Sequence, residues 1–159
     1  MVNLNDLYNE RILELAANIP LTQRLDAPQA TASAHSKLCG SKVVIDLNMD
    51  GDVVTGYGQD VKACLLGQSS AAVMGQNIIG AKAEELRAVA AQMRRMLKEG
   101  GEPPSGKWAD LAVLEPVRDI RARHASTLLI FDAVEDAIGQ IERARAGAQP
   151  EAAGVAAGE

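Results

Sequence analysis

A chain of 159 residues with 47% hydrophobic content has the length of one domain and enough apolar side chains for a single core. No stretch approaches the roughly 20 unbroken apolar residues of a membrane span, and a formal net charge of −5 with a pI near 5.1 argues against binding the backbone of nucleic acid. The N-terminus, Met1 to Asp6, lacks a basic region followed by an apolar stretch, so no secretory signal is expected and the setting is cytoplasmic.

In chain order, Leu4, Leu7, Ile12, Leu13 and Leu15 recur at near-helical spacing, which predicts an amphipathic helix over about 4–18, closed by Pro20. Residues 20–37 are polar and rich in Ala, Thr and Ser, as a loop or an edge strand would be. Residues 42–48 then alternate Val43, Ile45 and Leu47 against Val44, Asp46 and Asn48. The run Asn48-Met49-Asp50-Gly51 is a turn signal, and a second strand resumes at Val53 and ends at Val61 to Cys64. Within it, Gly56-Tyr57-Gly58 reads as a bulge or bend. From Gly67 the small residues of Gln68 to Met74 suit a helix buried close to a sheet. Residues 82–98 form a helix with Leu86, Val89, Ala90, Met93, Met96 and Leu97 on one side, stopped by the Gly and Pro of 99–106. A short helix is expected over 108–114. A last helix begins near Ser126, with Leu128, Leu129, Phe131, Val134, Ile138 and Ile141 as its buried stripe. After Arg145 the chain turns to Ala and Gly, so 1–145 is expected to be one domain and 146–159 a disordered tail. The whole predicts an α+β fold, a small antiparallel three-stranded sheet packed against several helices.

The two cysteines fall at informative places. Cys39 precedes the first strand of the hairpin and Cys64 ends the second, so an in-register hairpin brings both thiols to one end of the sheet. Such a pair suits a metal site, a sulfur-handling site or a disulfide, and the cytoplasmic setting disfavours the disulfide. Cys64 also stands where a strand passes into a helix. The unpaired N–H groups and partial positive charge of a helix N-terminus would favour a thiolate there. No Ser-His-Asp order with a nucleophile elbow, no phosphate-binding glycine loop and no HExxH motif is present, so a conventional enzyme is not expected.

The order Cys39-Gly40, strand, Asp50-Gly51 turn, strand ending Ala63-Cys64, small-residue Ser69-Ser70-Ala71 helix, long amphipathic helix and final segment Val117 to Val134 resembles the NifU N-terminal, IscU and SufU scaffold proteins of iron–sulfur cluster assembly. The resemblance covers roughly residues 3–143. It implies a protein that holds zinc or a nascent [2Fe–2S] cluster, or accepts sulfur, through three cysteines and an aspartate gathered at one end of the sheet. It also implies a cysteine desulfurase and recipient apoproteins as partners. Carried over by position, Cys39 and Cys64 match the first two cysteines. Ser41 stands where the family has its aspartate, and an ungapped alignment puts Ser126 at the third cysteine.

The implied metal ligands are therefore Cys39 and Cys64, with His124, two residues before Ser126, as a candidate third. A structural zinc wants four thiolate or imidazole ligands, and a serine hydroxyl holds its proton at neutral pH. Three readings stay open. The chain is a cluster scaffold or carrier, a persulfide acceptor for a desulfurase, or an interaction module that keeps the fold with inert thiols. Each residue also has a plain role: a buried cysteine is a small hydrophobe, Ser126 an N-cap for the last helix, His124 a solvated or capping side chain, and His35 an exposed one. Arg118, Arg121 and Arg123 form either a solvated face or a receiver for an acidic desulfurase surface.

Overall fold

The computed structural model describes residues 9–37 and 40–148. Helix α1, Glu10–Ala17, begins at Asn9, whose side-chain oxygen accepts from the Ile12 amide at 2.9 Å and so satisfies one of the orphan donors of a helix start. It buries Ile12 and Leu15, three apart on one face. Leu13 is off that face and 50% exposed, a correction to its place in the expected stripe, and Leu4 and Leu7 lie outside the described residues.

Three strands follow: β1, Ala30–His35; β2, Lys42–Asp50; and β3, Val53–Lys62. They form one antiparallel sheet in the order β1-β2-β3, so the polar segment before the hairpin does contain an edge strand. Period-2 alternation decides the faces. Ala30, Ala32, Val43, Ile45, Leu47, Met49, Val54, Tyr57 and Gln59 are buried on the core side. The hairpin turn is Gly51-Asp52, between the paired Asp50 and Val53, with Gly51 in the left-handed region at φ 62°. The register shifts between Asn48 and Met49, which leaves Thr55 as the extra residue of a bulge beside Gly56.

Gly58 has a separate cause. The chain of 20–25 crosses the sheet face opposite the core at this point, and a Cβ on Gly58 would sit 2.2 Å from the Gln23 carbonyl oxygen. The crossing is latched by Asp46, whose buried carboxylate accepts from Arg24 Nε at 2.6 Å, Arg24 Nη2 at 3.0 Å, the Leu25 amide at 3.0 Å and Thr31 Oγ1 at 2.7 Å.

Helix α2, Leu65–Asn77, starts two residues before the expected Gly67 and is buried almost all round, as its Ser, Ala and Gly content requires. Ser69 Oγ donates to the Ile12 and Leu65 carbonyls, tying α2 to α1. Helix α3, Ala83–Glu99, carries Glu84 and Glu85 in its first turn, Lys98 in its last, and Gly100 at φ 69° as its stop. Its Leu86, Val89, Ala90, Met93, Met96 and Leu97 are all buried, as the spacing predicts.

The short helix expected at 108–114 is instead a long 3-10 helix, Gly106–Asp119, that runs through Pro116. Its buried residues are Trp108, Leu111, Leu114 and Val117, one in every three. That is the period of a 3-10 helix, in which side chains at i and i+3 eclipse. A 3-10 turn at Arg121–Arg123 leads into α4, His124–Ala148. This helix starts before the expected Ser126 and runs past the expected end at Arg145, because Ala146-Gly147-Ala148 extends a helix already nucleated. Residues 149–159, the rest of the expected tail, lie outside the described residues. All six residues of its expected stripe are buried. Helix α4 packs on β1 and β2, and α2 packs against both β3 and α4. Salt bridges from Arg87 to Glu142 and from Arg94 to Asp132 tie α3 to α4. Among the described residues, no helix is long and apolar enough to cross a membrane.

Candidate functional site

Three chain segments meet at the end of the sheet away from the hairpin turn. Lys42 pairs with Lys62, so Ser41, one residue before β2, faces the exit of β3 where Ala63 and Cys64 follow. Cys64 is the N-cap residue of α2, with extended backbone at φ −67° and ψ 171°, and its side chain makes no capping hydrogen bond. The thiol is therefore not consumed by the helix it introduces. The Cys64 amide donates to Ser41 Oγ at 3.3 Å, which joins the start of β2 to the strand-to-helix junction.

On the other side of the thiol stands α4. The Cys64 S–H donates to Ser126 Oγ at 3.4 Å, and the Ser126 hydroxyl donates on to the Arg123 carbonyl at 3.2 Å. The same carbonyl accepts from Thr127 Oγ1 at 2.7 Å. A thiol, a hydroxyl and a carbonyl thus form a chain across two helix starts. Cys64 is half-buried, Ser41 and Ser126 are buried. Ser126 is not the N-cap expected of it: the helix already runs from His124, and the hydroxyl gives its proton backward to Arg123 rather than accepting a helix N–H. The close approach of the two helices needs Gly67. A Cβ there would lie 2.8 Å from the Ala63 Cβ and 3.0 Å from the Ser126 carbonyl oxygen.

His124 faces elsewhere. Its Nε2 lies 3.1 Å from both the Val117 and the Arg118 carbonyl oxygens. Carbonyls only accept, so Nε2 carries the proton, and in the neutral ring Nδ1 alone has a lone pair for a metal. Two residues apart on an α-helix project about 200° from each other, so His124 and Ser126 leave α4 on different sides. The ring borders a cavity of about 400 Å3 with Lys98, Arg121 and Ala125. Among the described residues, no three His, Cys, Asp or Glu side chains come close enough to hold a metal ion. Cys39 lies outside the described residues, and so does its distance to Cys64. His35 is exposed, as expected.

The positions of Cys64, Ser41 and Ser126 were readable from the sequence as an aligned set. The roles of the Arg123 carbonyl, Thr127 and Gly67 were not. A backbone carbonyl at a junction between 3-10 and α-helix has no side-chain signature, and Gly67 carries no sign that distinguishes packing from flexibility.

The fold has close counterparts among solved structures. No family model matches the chain. The N-terminal part of a nitrogen-fixing NifU-like protein from Brucella abortus is 56% identical, with a TM-score of 0.87 over 88% of this chain and 97% of that one. The chain belongs to the NifU-like N-terminal family. Two curated proteins are more distant relatives of this NifU-like chain. The iron–sulfur cluster assembly scaffold protein IscU of Thermotoga maritima is 23% identical over 137 residues, 86% of this chain and 96% of that protein. The zinc-dependent sulfurtransferase SufU of Bacillus subtilis is 23% identical over 140 residues, 88% of this chain and 95% of that protein. A SufU from Fervidobacterium islandicum shares the fold, with a TM-score of 0.77 at 20% identity over 86% of this chain and 99% of that one. The α+β architecture and the scaffold family expected from the sequence are thereby established.

Proposed function

We propose that this NifU-like chain works in iron–sulfur cluster assembly as a carrier rather than an enzyme, and that its working group is the Cys64 thiol. The observation that carries this reading is the setting of that thiol. It is half-buried at the head of α2, spared from capping, and backed by a buried hydroxyl at 3.4 Å. A residue that merely filled space would not need an oriented polar partner.

The cargo that the described residues fit best is sulfur. A thiolate at Cys64 attacks the outer sulfur of a donor persulfide. A new S–S bond forms on Cys64, the donor S–S bond breaks, and the donor thiolate leaves with the electron pair, so no external oxidant is needed. The partner implied is a cysteine desulfurase. The proton chain supports the step: as the Cys64 S–H is lost, the Ser126 hydroxyl can turn toward the sulfur, and the Arg123 carbonyl it abandons keeps its bond from Thr127. Incubation with a cysteine desulfurase and cysteine should add one sulfur mass to the parent and to Cys39→Ser, and none to Cys64→Ser. An adduct that survives Cys64→Ser sinks the assignment.

A second reading rests on the IscU relative: a [2Fe–2S] cluster or zinc held by Cys39 and Cys64, with His124 through Nδ1, for delivery to recipient apoproteins. The described donors do not make a four-ligand set, since the Ser41 and Ser126 hydroxyls are poor ligands at neutral pH. Anaerobic reconstitution decides it. Iron and sulfide, or zinc, retained by the parent and lost in both Cys39→Ser and Cys64→Ser would favour this reading over sulfur alone.

A further inference from the structure

Among the described residues, the end of the molecule that carries Cys64 is built from residues 36–37, 40–43, 61–68 and 120–131. These segments contain Lys37, Lys42, Lys62, Arg121 and Arg123 and no Asp or Glu, although Asp60, Asp119 and Asp132 stand at their borders, in a chain that has 21 acidic residues and a net charge of −5. Among the described residues, none of those five cations is in an ion pair; the paired ones are Arg11, Arg24, Arg87, Arg94, Lys107 and Arg118. The sheet register concentrates them further. His35 pairs with Lys42 and Lys42 with Lys62, so an imidazole and two ammonium groups stand in a row across all three strands on the face away from the core. All three are exposed. Like charges directly opposite each other in an antiparallel pair destabilise it. Asp60 is the next acid along that face of β3, opposite Val44, and its field also acts on Arg24.

We propose that this cationic collar is the docking surface for an acidic segment of the protein that exchanges cargo with Cys64. The inference rests on the reading of Cys64 as the working group. Uncompensated cations around a thiol steer an oppositely charged partner into register and repel wrong ones. Outside these segments acids outnumber cations, so the net attraction favours the end that carries Cys64. An overall negative charge disfavours nucleic acid as the occupant.

A fluorescein-labelled deca-glutamate peptide, read by anisotropy against the full chain at low and at physiological salt, tests the surface. The parent is expected to bind, with affinity falling as salt rises. The double substitution Lys42→Glu with Lys62→Glu should weaken binding about tenfold or more. Arg143→Glu, on α4 about 30 Å along the helix from Arg123, should change it less than about twofold. Lys42→Glu alone puts a carboxylate opposite Lys62 in place of a like charge, so its melting temperature should hold while its binding falls. That variant separates docking from folding. The proposal is overturned by a parent that binds the peptide no better than a neutral one, by equal loss in Arg143→Glu, by unchanged binding in the double variant, or by tighter binding of an oligonucleotide of equal charge. A dimer in sedimentation that the double substitution dissolves would assign the collar to a second copy and also overturn it. The sulfur-adduct assay, run separately with small persulfide donors, reports on Cys64 and not on the collar.

Discussion

The Cys64 thiol and the Ser126 hydroxyl face each other across 3.4 Å, one from the N-cap of α2 and the other from the first turn of α4. Neighbouring ligands around a tetrahedral zinc with 2.3 Å bonds to sulfur lie about 3.8 Å apart. The pair is thus close to the spacing of two ligands on one metal, with a hydroxyl where a thiol would serve. Ser126→Cys should therefore raise zinc retention by about tenfold or more over the parent, measured by competition with a chromophoric chelator. No gain over the parent would show that the missing third thiol is not what limits metal binding.

Removing the hydroxyl has a different signature. In Ser126→Ala the Arg123 carbonyl keeps its bond from Thr127, so no buried acceptor is orphaned and the stability cost should stay near or below 1 kcal/mol. Sulfur acceptance at Cys64 should slow, and Ser126→Thr should recover part of it. A denaturant titration gives the first value and the rate of adduct formation the second. Equal rates in parent and Ser126→Ala would reduce Ser126 to a packing residue.

Gly67→Ala should cost about 1–3 kcal/mol, the usual range for forcing extra volume into a packed contact. The added methyl meets the Ala63 Cβ and the Ser126 backbone, neither of which can swing away as a long side chain would. The thiol environment should shift with it, seen as altered alkylation of Cys64 by site-resolved mass spectrometry. Unchanged stability would mean that the α2 and α4 starts separate easily.

Asp46 sets a pH dependence. Burial pushes its carboxyl up, but hydrogen bonds from Arg24, Thr31 and the Leu25 amide outweigh burial and leave it below its ordinary 3.8. A carboxylate depressed in the folded state stabilises fully above that ordinary value, and the contribution is lost as pH falls through the folded pKa. Asp46→Asn should cost about 2 kcal/mol at neutral pH, a modest figure because Arg24 is 52% exposed. The difference between parent and variant should narrow as pH drops below the ordinary carboxylate range. Parallel stability curves across that range would refute the assignment.

Much of this fold was written in periodicities. The alternation of Val43, Ile45 and Leu47, the stripe of α3 and the stripe of α4 are each determined by a local pattern that the tertiary structure did not override. The 3-10 helix was not legible, since Trp108, Leu111 and Leu114 at a spacing of three also fit one side of an α-helix. The need for glycine at 58 was not legible for a related reason: what requires it is Gln23, 35 positions earlier, and a crossing between distant segments has no local signal. At the site, Cys64 announced itself by residue type and by its place between strand and helix. Ser126 could be placed beside it only through likeness to the scaffold proteins, and nothing in the string Arg121 to Ser126 told which way His124 would turn.

The row Trp108, Leu111, Leu114 and Val117 has a further consequence for how the chain tolerates length changes. Gly106 itself stands at φ 65°, outside helical geometry, and at about 2.0 Å per residue the part of the helix that follows it reaches roughly 26 Å, where an α-helix of equal length would reach about 20 Å. Each residue also turns the chain by a third of a revolution. Deleting one would rotate the buried row by about 120° into solvent and shorten the reach to the start of α4, where Arg123 and Ser126 stand. The segment is a measured strut, and homologues of this chain should vary there in composition long before they vary in count.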